Sequence, residues 1–220
     1  LPSAMTFTAT IIEGSSANTT GTSFRFLQNW MGYWGRSGSF QDITDEETYT
    51  FDNDFNVAIW NNLYRNATNY DFVARKAKEK NAGRYEAIAT IMRSMNFHML
   101  VDIYGNIPYS EALKGTDNPT PKYDKDEDVY VDLLRKIDDA IALLKDPVLG
   151  SDENNADIDK NDLIYAGDAD HWIKFANTLK LRLILHCYRV SGFDIAGEIA
   201  IIEAEGSGYI GVGDGAELNP

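Results

Sequence analysis

Four segments repeat apolar side chains at steps of three and four, and that spacing commits the chain to packed helices. In the range 56–80, Ile59, Trp60, Leu63, Ala67, Tyr70 and Ala74 form one stripe. Such a stripe covers a single face of a 3.6-residue helix and must be buried against something. Its last turns carry Arg75, Lys76, Lys78 and Lys80, cations that suit the negative end of a helix dipole. In 84–104 the stripe is Ile88, Ile91, Met92, Met95, Met99 and Ile103; Gly105 is the stop and Pro108 prevents resumption. The range 125–145 buries Leu133, Leu134, Ile137, Ile141 and Leu144. It opens on a capping box, Asp124 accepting from the backbone while Glu127 reaches back. The range 171–190 offers Trp172, Phe175, Ala176, Leu179, Leu183 and Ile184. Shorter helices are expected at 23–34 (Phe26, Leu27, Trp30, Trp34) and 195–205 (Ile195, Ile199, Ile202), and residues 3–21 and 36–54 read as extended chain or loop.

No strand pattern competes, so the fold class is all-α, with antiparallel helix pairs joined by long irregular loops. Such pairs are the unit of tetratricopeptide-like solenoids, in which each hairpin buries its apolar face against the next. A strict tetratricopeptide consensus is missing, because the helices are too long and their connections too irregular. With 220 residues, 44% of them apolar, the chain can bury one core or two small ones. Residues 1–220 are expected to form one helical domain. The opening Leu1-Pro2 and the glycine-rich close at Asn219-Pro220 suggest the N-terminal part of a longer chain.

The net charge is −14, and it is unevenly placed: between Asp117 and Asp170 there are 16 acidic and 6 basic residues. This balance excludes nucleic acid as a partner, since phosphate contacts need clustered Lys and Arg. It also disfavours a basic face for anionic lipid. No apolar run approaches the roughly 18 residues of a membrane span. Cys187 is the single cysteine; no disulfide is possible within the chain, and a buried structural thiol is its expected role. The redox compartment stays open.

Catalytic signatures are absent: there is no H-E-x-x-H, no nucleophile elbow and no Walker loop. Gly206, Gly208 and Gly211 do spell G-x-G-x-x-G, but a helix precedes them where a dinucleotide fingerprint needs a strand. In the acidic loop Asp157, Asp159 and Asn161 fall at positions one, three and five of a calcium-loop spacing, with Asp168 at twelve. Asp162 stands where that loop has glycine, and position twelve is Asp where the loop has Glu. The competing reading is a solvated loop with Asp168 or Asp170 capping the next helix. No cofactor is required, and calcium is the ion this spacing admits.

Aromatic residues are the other concentration, with 12 of the 26 lying between Phe24 and Tyr70. Trp60, Tyr64 and Tyr70 sit on the helical stripe and are expected in the core. Trp34, Phe40 and Tyr49 flank a loop of Gly, Ser, Thr, Gln and acids. Flat rings beside Arg36, Gln41 and Asp52 suit sugar binding: C–H faces stack on the rings and hydroxyls bond to the polar groups. The alternative is that these rings pack the loop onto the helices.

A family resemblance enters at Tyr104-Gly105-Asn106-Ile107-Pro108-Tyr109-Ser110-Glu111-Ala112. This turn resembles one in the SusD/RagB-like outer-membrane lipoproteins. Pro121, Tyr123 and Asp124, then Val129-Tyr130 and Asp138-x-Ala140-Ile141, follow in the family's order. So do Ile164-Tyr165-x-Gly167-Asp168 and the run from Trp172 through Lys174-Phe175-Ala176-Asn177-Thr178-Leu179-Lys180-Leu181-Arg182. The resemblance implies a lipid-anchored surface protein that captures glycans, or in some members peptides, and delivers them to a TonB-dependent, SusC-like transporter. The lipid-bearing cysteine of such proteins lies near the mature N-terminus, so Cys187 is not it. Any membrane contact would run through an anchor that this chain does not carry. Two rival readings are a tetratricopeptide-like scaffold for another protein and an α-helical glycoside hydrolase with paired carboxylates.

Overall fold

All four long ranges form helices in the computed structural model, which describes residues 1–13, 25–33, 35, 38, 48–55 and 57–218. They are α3 (Val57–Glu79), α4 (Gly83–Tyr104), α5 (Asp126–Lys145) and α7 (Ala169–His186). Around them stand α1 (Pro2–Glu13), the short α2 (Arg25–Trp30), the single turn α6 (Ile158–Asn161) and α8 (Ile195–Glu205). Two-residue strands β1 (Ile107–Pro108) and β2 (Tyr123–Asp124) pair antiparallel, Ile107 opposite Asp124. The helices pack as a row in which α1 meets α3, α3 meets α4, α4 meets α5, α5 meets α7 and α7 meets α8. That nearest-neighbour order is the tetratricopeptide-like arrangement.

The middle of the row is α4. A single apolar face was expected there, yet the helix is buried almost all round. Ala87, Ala89, Thr90, Ser94, Asn96 and His98 are buried together with Ile88, Ile91 and Met92, and Ile103 of the expected stripe is exposed. Small side chains let neighbouring helices approach from several directions. The start of α4 depends on the same closeness. A Cβ on Gly83 would lie 2.7 Å from both the Cβ and the carbonyl oxygen of Leu149. The Gly83 N–H donates to that carbonyl, and the Arg84 N–H donates to Asn155 Oδ1. Two orphan donors of the first turn are thus satisfied by a loop far along the chain.

Three expectations need correction. Residues 2–13 are helical, not loop: Ala4, Met5, Thr8 and Ile11 face the core, and Thr8 meets the Tyr70 hydroxyl at 2.7 Å and accepts from Asn66 Nδ2 at 2.8 Å. Alanine and threonine made that inner face look unpatterned. The helix expected at 23–34 is only α2 and the turn after it, within the described residues. Asp124 does not cap α5. It sits on β2 and accepts from the N–H groups of Tyr109 and Ser110 and from the Ser110 hydroxyl. The first N–H of α5, that of Asp126, donates to Asn106 Oδ1 instead.

At the far end of the row Glu205 joins three helices. It pairs with Lys145 of α5 and accepts from Asn177 Nδ2 of α7 at 2.6 Å and from Ser207. Burial pushes its carboxyl up, but the hydrogen bonds from Lys145, Ser207 and Asn177 outweigh that and hold it at about 2. A carboxylate depressed in the folded state stabilises above its unfolded value and loses that contribution as pH falls. Stability should therefore decline between about pH 4.5 and about pH 2, and the Glu205→Gln variant should show a flatter decline in denaturant titrations across that window. Separately, Gly83→Ala should lower stability by roughly 1–3 kcal/mol through overpacking against Leu149, read as a lower unfolding midpoint.

Candidate functional site

The segment leading into α3 displays its rings outside the core. Trp30 ends α2, and its ring lies 6.0 Å from that of Phe55, parallel to within 4°. Tyr49 approaches Trp30 at 5.2 Å. Phe51 stands edge-on to both, 5.6 Å from Trp30 and 4.8 Å from Phe55. Tyr49 and Phe51 are 59% and 61% exposed, which is unusual for large rings already in contact with one another. Local bonds hold the segment in shape. Asp52 Oδ1 accepts from the Asp54 N–H at 3.0 Å, and the Phe55 N–H reaches the Asp52 carbonyl. Tyr49 itself has φ of 53°, a left-handed conformation that costs a non-glycine residue energy and often marks a functional loop.

Of the six residues expected to bind ligand, Tyr49 joins this platform and Asp52 shapes its turn. Trp34, Arg36, Phe40 and Gln41 lie outside the described residues. Trp30, Phe51 and Phe55 were missed. Trp30 belongs to the stripe of the expected helix at 23–34, and the alternation of aromatic and acidic residues at 49–55 is the signal that could have found Phe51 and Phe55.

A second opening, of roughly 850 Å³, lies between α3, α4 and α5 beside the Tyr104–Ala112 turn. Arg93 Nη1 and Arg75 Nε hold Asp71 at 2.5 and 2.8 Å. Tyr109 donates to Asp132 Oδ2 at 2.5 Å, and its ring packs edge-on to Phe97. Burial, followed by the Asp132 carboxylate, pushes the Tyr109 phenol up, so it stays a donor. A glycosidase acid needs a raised carboxyl. In this cleft Asp124 moves the other way, because bonds from Ser110 and Tyr109 outweigh its desolvation.

The expected calcium ligands are not brought together. Asp157 has φ of 58° and pairs with Lys160 at 2.5 Å. Asp159 lies exposed on α6. Asn161 Nδ2 donates to the Tyr85 hydroxyl and the Asp157 carbonyl. Asp168 caps α7, accepting from the His171 N–H at 3.0 Å. The loop is organised instead by Asp162, which is 3% exposed. Its Oδ1 accepts from the N–H groups of Ile164 and Tyr165, and its Oδ2 from Gly167 N–H at 2.8 Å and Trp172 Nε1 at 2.6 Å. Among the described residues, the His, Cys, Asp and Glu donors that gather within 4.8 Å of one another are His98, Asp102 and His186.

The SusD-like family model, described as starch-binding and associating with the outer membrane, matches residues 2–207. The chain belongs to the SusD-like family. Solved structures agree. A chitin-binding SusD homologue from Flavobacterium johnsoniae is 26% identical, with a TM-score of 0.74 over 96% of this chain and 44% of that one. A chitin-binding protein is 30% identical, with a TM-score of 0.67 over 82% of this chain and 38% of its own. A SusD/RagB family protein from Bacteroides thetaiotaomicron, 24% identical, shares the fold at a TM-score of 0.72 over 97% of this chain and 43% of that one. The SusD-like chain thus spans under half the length of each of these structures. A search of curated proteins returns no match. No helix among its described residues is long and apolar enough to cross a membrane.

Removing the Asp162 carboxylate would orphan two loop N–H groups, the Gly167 N–H and the Trp172 indole. Asp162→Ala should cost roughly 3 kcal/mol, since unpaired buried donors are expensive. Near-ultraviolet circular dichroism of the Trp172 region should weaken while the helical signal persists.

Proposed function

We propose that this SusD-like chain captures oligosaccharide at the outer-membrane surface without cleaving it and hands it to a SusC-like, TonB-dependent transporter. The observation that carries the proposal is the aromatic platform in which exposed Tyr49 and Phe51 stand against half-buried Trp30 and Phe55, in a chain whose family is described as starch-binding. Two structurally similar proteins are chitin-binding, so oligomers of N-acetylglucosamine are the first ligands to test. An aromatic face meets the C–H face of a pyranose ring while leaving its hydroxyls at the rim for hydrogen bonds. Binding of this kind needs a rigid surface and no general acid. The lowered carboxyl of Asp124 and the paired carboxylates of Asp71 and Asp132 favour that reading over hydrolysis. Anchoring would come from a lipid, as in lipoproteins of this family; among the described residues no helix is long and apolar enough to cross a bilayer.

Calorimetry against chitin and maltose oligomers tests the site. At least one series should bind, and Trp30→Ala and Phe51→Ala should each weaken it by roughly 3- to 10-fold, the range for one aromatic stacking contact. Unchanged affinity in both variants would remove the platform from the site. New reducing ends released from the bound oligomer would replace capture with hydrolysis.

A further inference from the structure

Apart from the aromatic platform, α4 and α7 bring two imidazoles and a carboxylate to one point. His98 and Asp102 stand one helical turn apart on α4, and His186 is the last residue of α7. His98 Nε2 lies 3.1 Å from Asp102 Oδ2 and 3.2 Å from His186 Nδ1. His186 Nδ1 lies 2.9 Å from Asp102 Oδ1. Each of these two nitrogens faces two partners, but a nitrogen carries at most one proton, so hydrogen bonds alone cannot satisfy every approach. A cation at the centre would satisfy all of them at once. Ligand atoms bonded to zinc at 2.0–2.1 Å in a tetrahedron are about 3.3 Å apart; the two imidazole nitrogens stand 3.2 Å apart, and the carboxylate offers a different oxygen to each, Oδ2 to His98 and Oδ1 to His186.

The surroundings suit an ion. The Tyr130 hydroxyl donates to Asp102 Oδ1, the kind of outer bond that orients a ligating carboxylate. His98 is buried, whereas Asp102 and His186 border a cleft of roughly 820 Å³, which leaves a route in and a position for water. Two imidazoles with one carboxylate favour zinc and its transition-metal neighbours over calcium or magnesium, which prefer all-oxygen shells.

We propose that His98, Asp102 and His186 bind a divalent transition-metal ion, zinc by preference, which fastens the end of α7 to the central helix. The site is independent of glycan capture. Metal-free protein titrated with zinc chloride should bind one equivalent at micromolar or tighter Kd, and cobalt(II) should give the visible absorption of a four-coordinate ion. His186→Ala, at the exposed end of α7, and Asp102→Asn should each weaken zinc binding at least roughly tenfold, while circular dichroism of the metal-free variants stays helical. His171→Ala removes the other partly exposed histidine, which lies near Asp168 and Asp214, and should leave zinc affinity unchanged. The proposal is overturned if the wild-type chain takes up no zinc, if His186→Ala binds it as tightly, or if His171→Ala is the variant that abolishes binding.

Discussion

A helix buried on nearly every side imposes conditions on all that surrounds it, and α4 is that helix. It needs a partner on each flank, supplied by α3 and α5, and α7 also reaches it. Its buried polar side chains look for partners inside the protein, although among the described residues the Asn96 amide finds none. Ser94 bonds to the carbonyl one turn back, and His98 faces Asp102 and His186. At its edge Arg93 emerges to hold Asp71 of α3. Its two ends are tied to distant segments: Gly83 and Arg84 to the loop at 149–155, and the turn after Tyr104 to Asp124 and the start of α5. The helix therefore sets the order of the row and the placement of both long connections.

Those connections give some of the acidic residues a structural use. A loop that packs against helices carries backbone N–H groups that no helix or sheet will accept. Here carboxylates accept them. Asp162 takes three, Asp146 takes those of Val148 and Leu149, Asp124 takes two, and Glu111 takes that of Lys122. Three of the sixteen acids between Asp117 and Asp170, Asp124, Asp146 and Asp162, thus serve as stitching for loop backbone. Alternate acids also suit a cation loop in sequence; in the fold Asp157 pairs with Lys160, Asp168 caps α7 and Asp159 lies exposed on α6.

The long helices were legible because Leu, Ile, Met and aromatic residues declare a 3.6-residue period. Helix α1 was not, because Thr8 and Ala4 carry its inner face and the Thr8 hydroxyl is useful only once Tyr70 and Asn66 are beside it. The Asp124 cap failed for a related reason. Its spacing to Glu127 satisfied a local rule, but Tyr109 and Ser110, brought near by the β1–β2 pairing, offered three donors in place of one. At the candidate site, composition singles out a stretch that includes Tyr49 and Asp52 but not the grouping of Trp30, Phe51 and Phe55 around Tyr49. Which of several aromatics stack together depends on the turn at Asp52 and the left-handed Tyr49, neither of which has a period to read.

Scaffold and platform answer to different constraints. A substitution along α4 is felt by helices on both flanks, so that surface cannot change freely. Tyr49 and Phe51 stand largely exposed beside Trp30, and they precede the first long helix of the row. They can be exchanged with little cost to the core, which is how one scaffold can serve different ligands while its packing motifs persist. The motifs from Tyr104 to Arg182 accordingly identify the family without naming a sugar, and under the proposed function the choice of ligand would fall to segments outside those motifs.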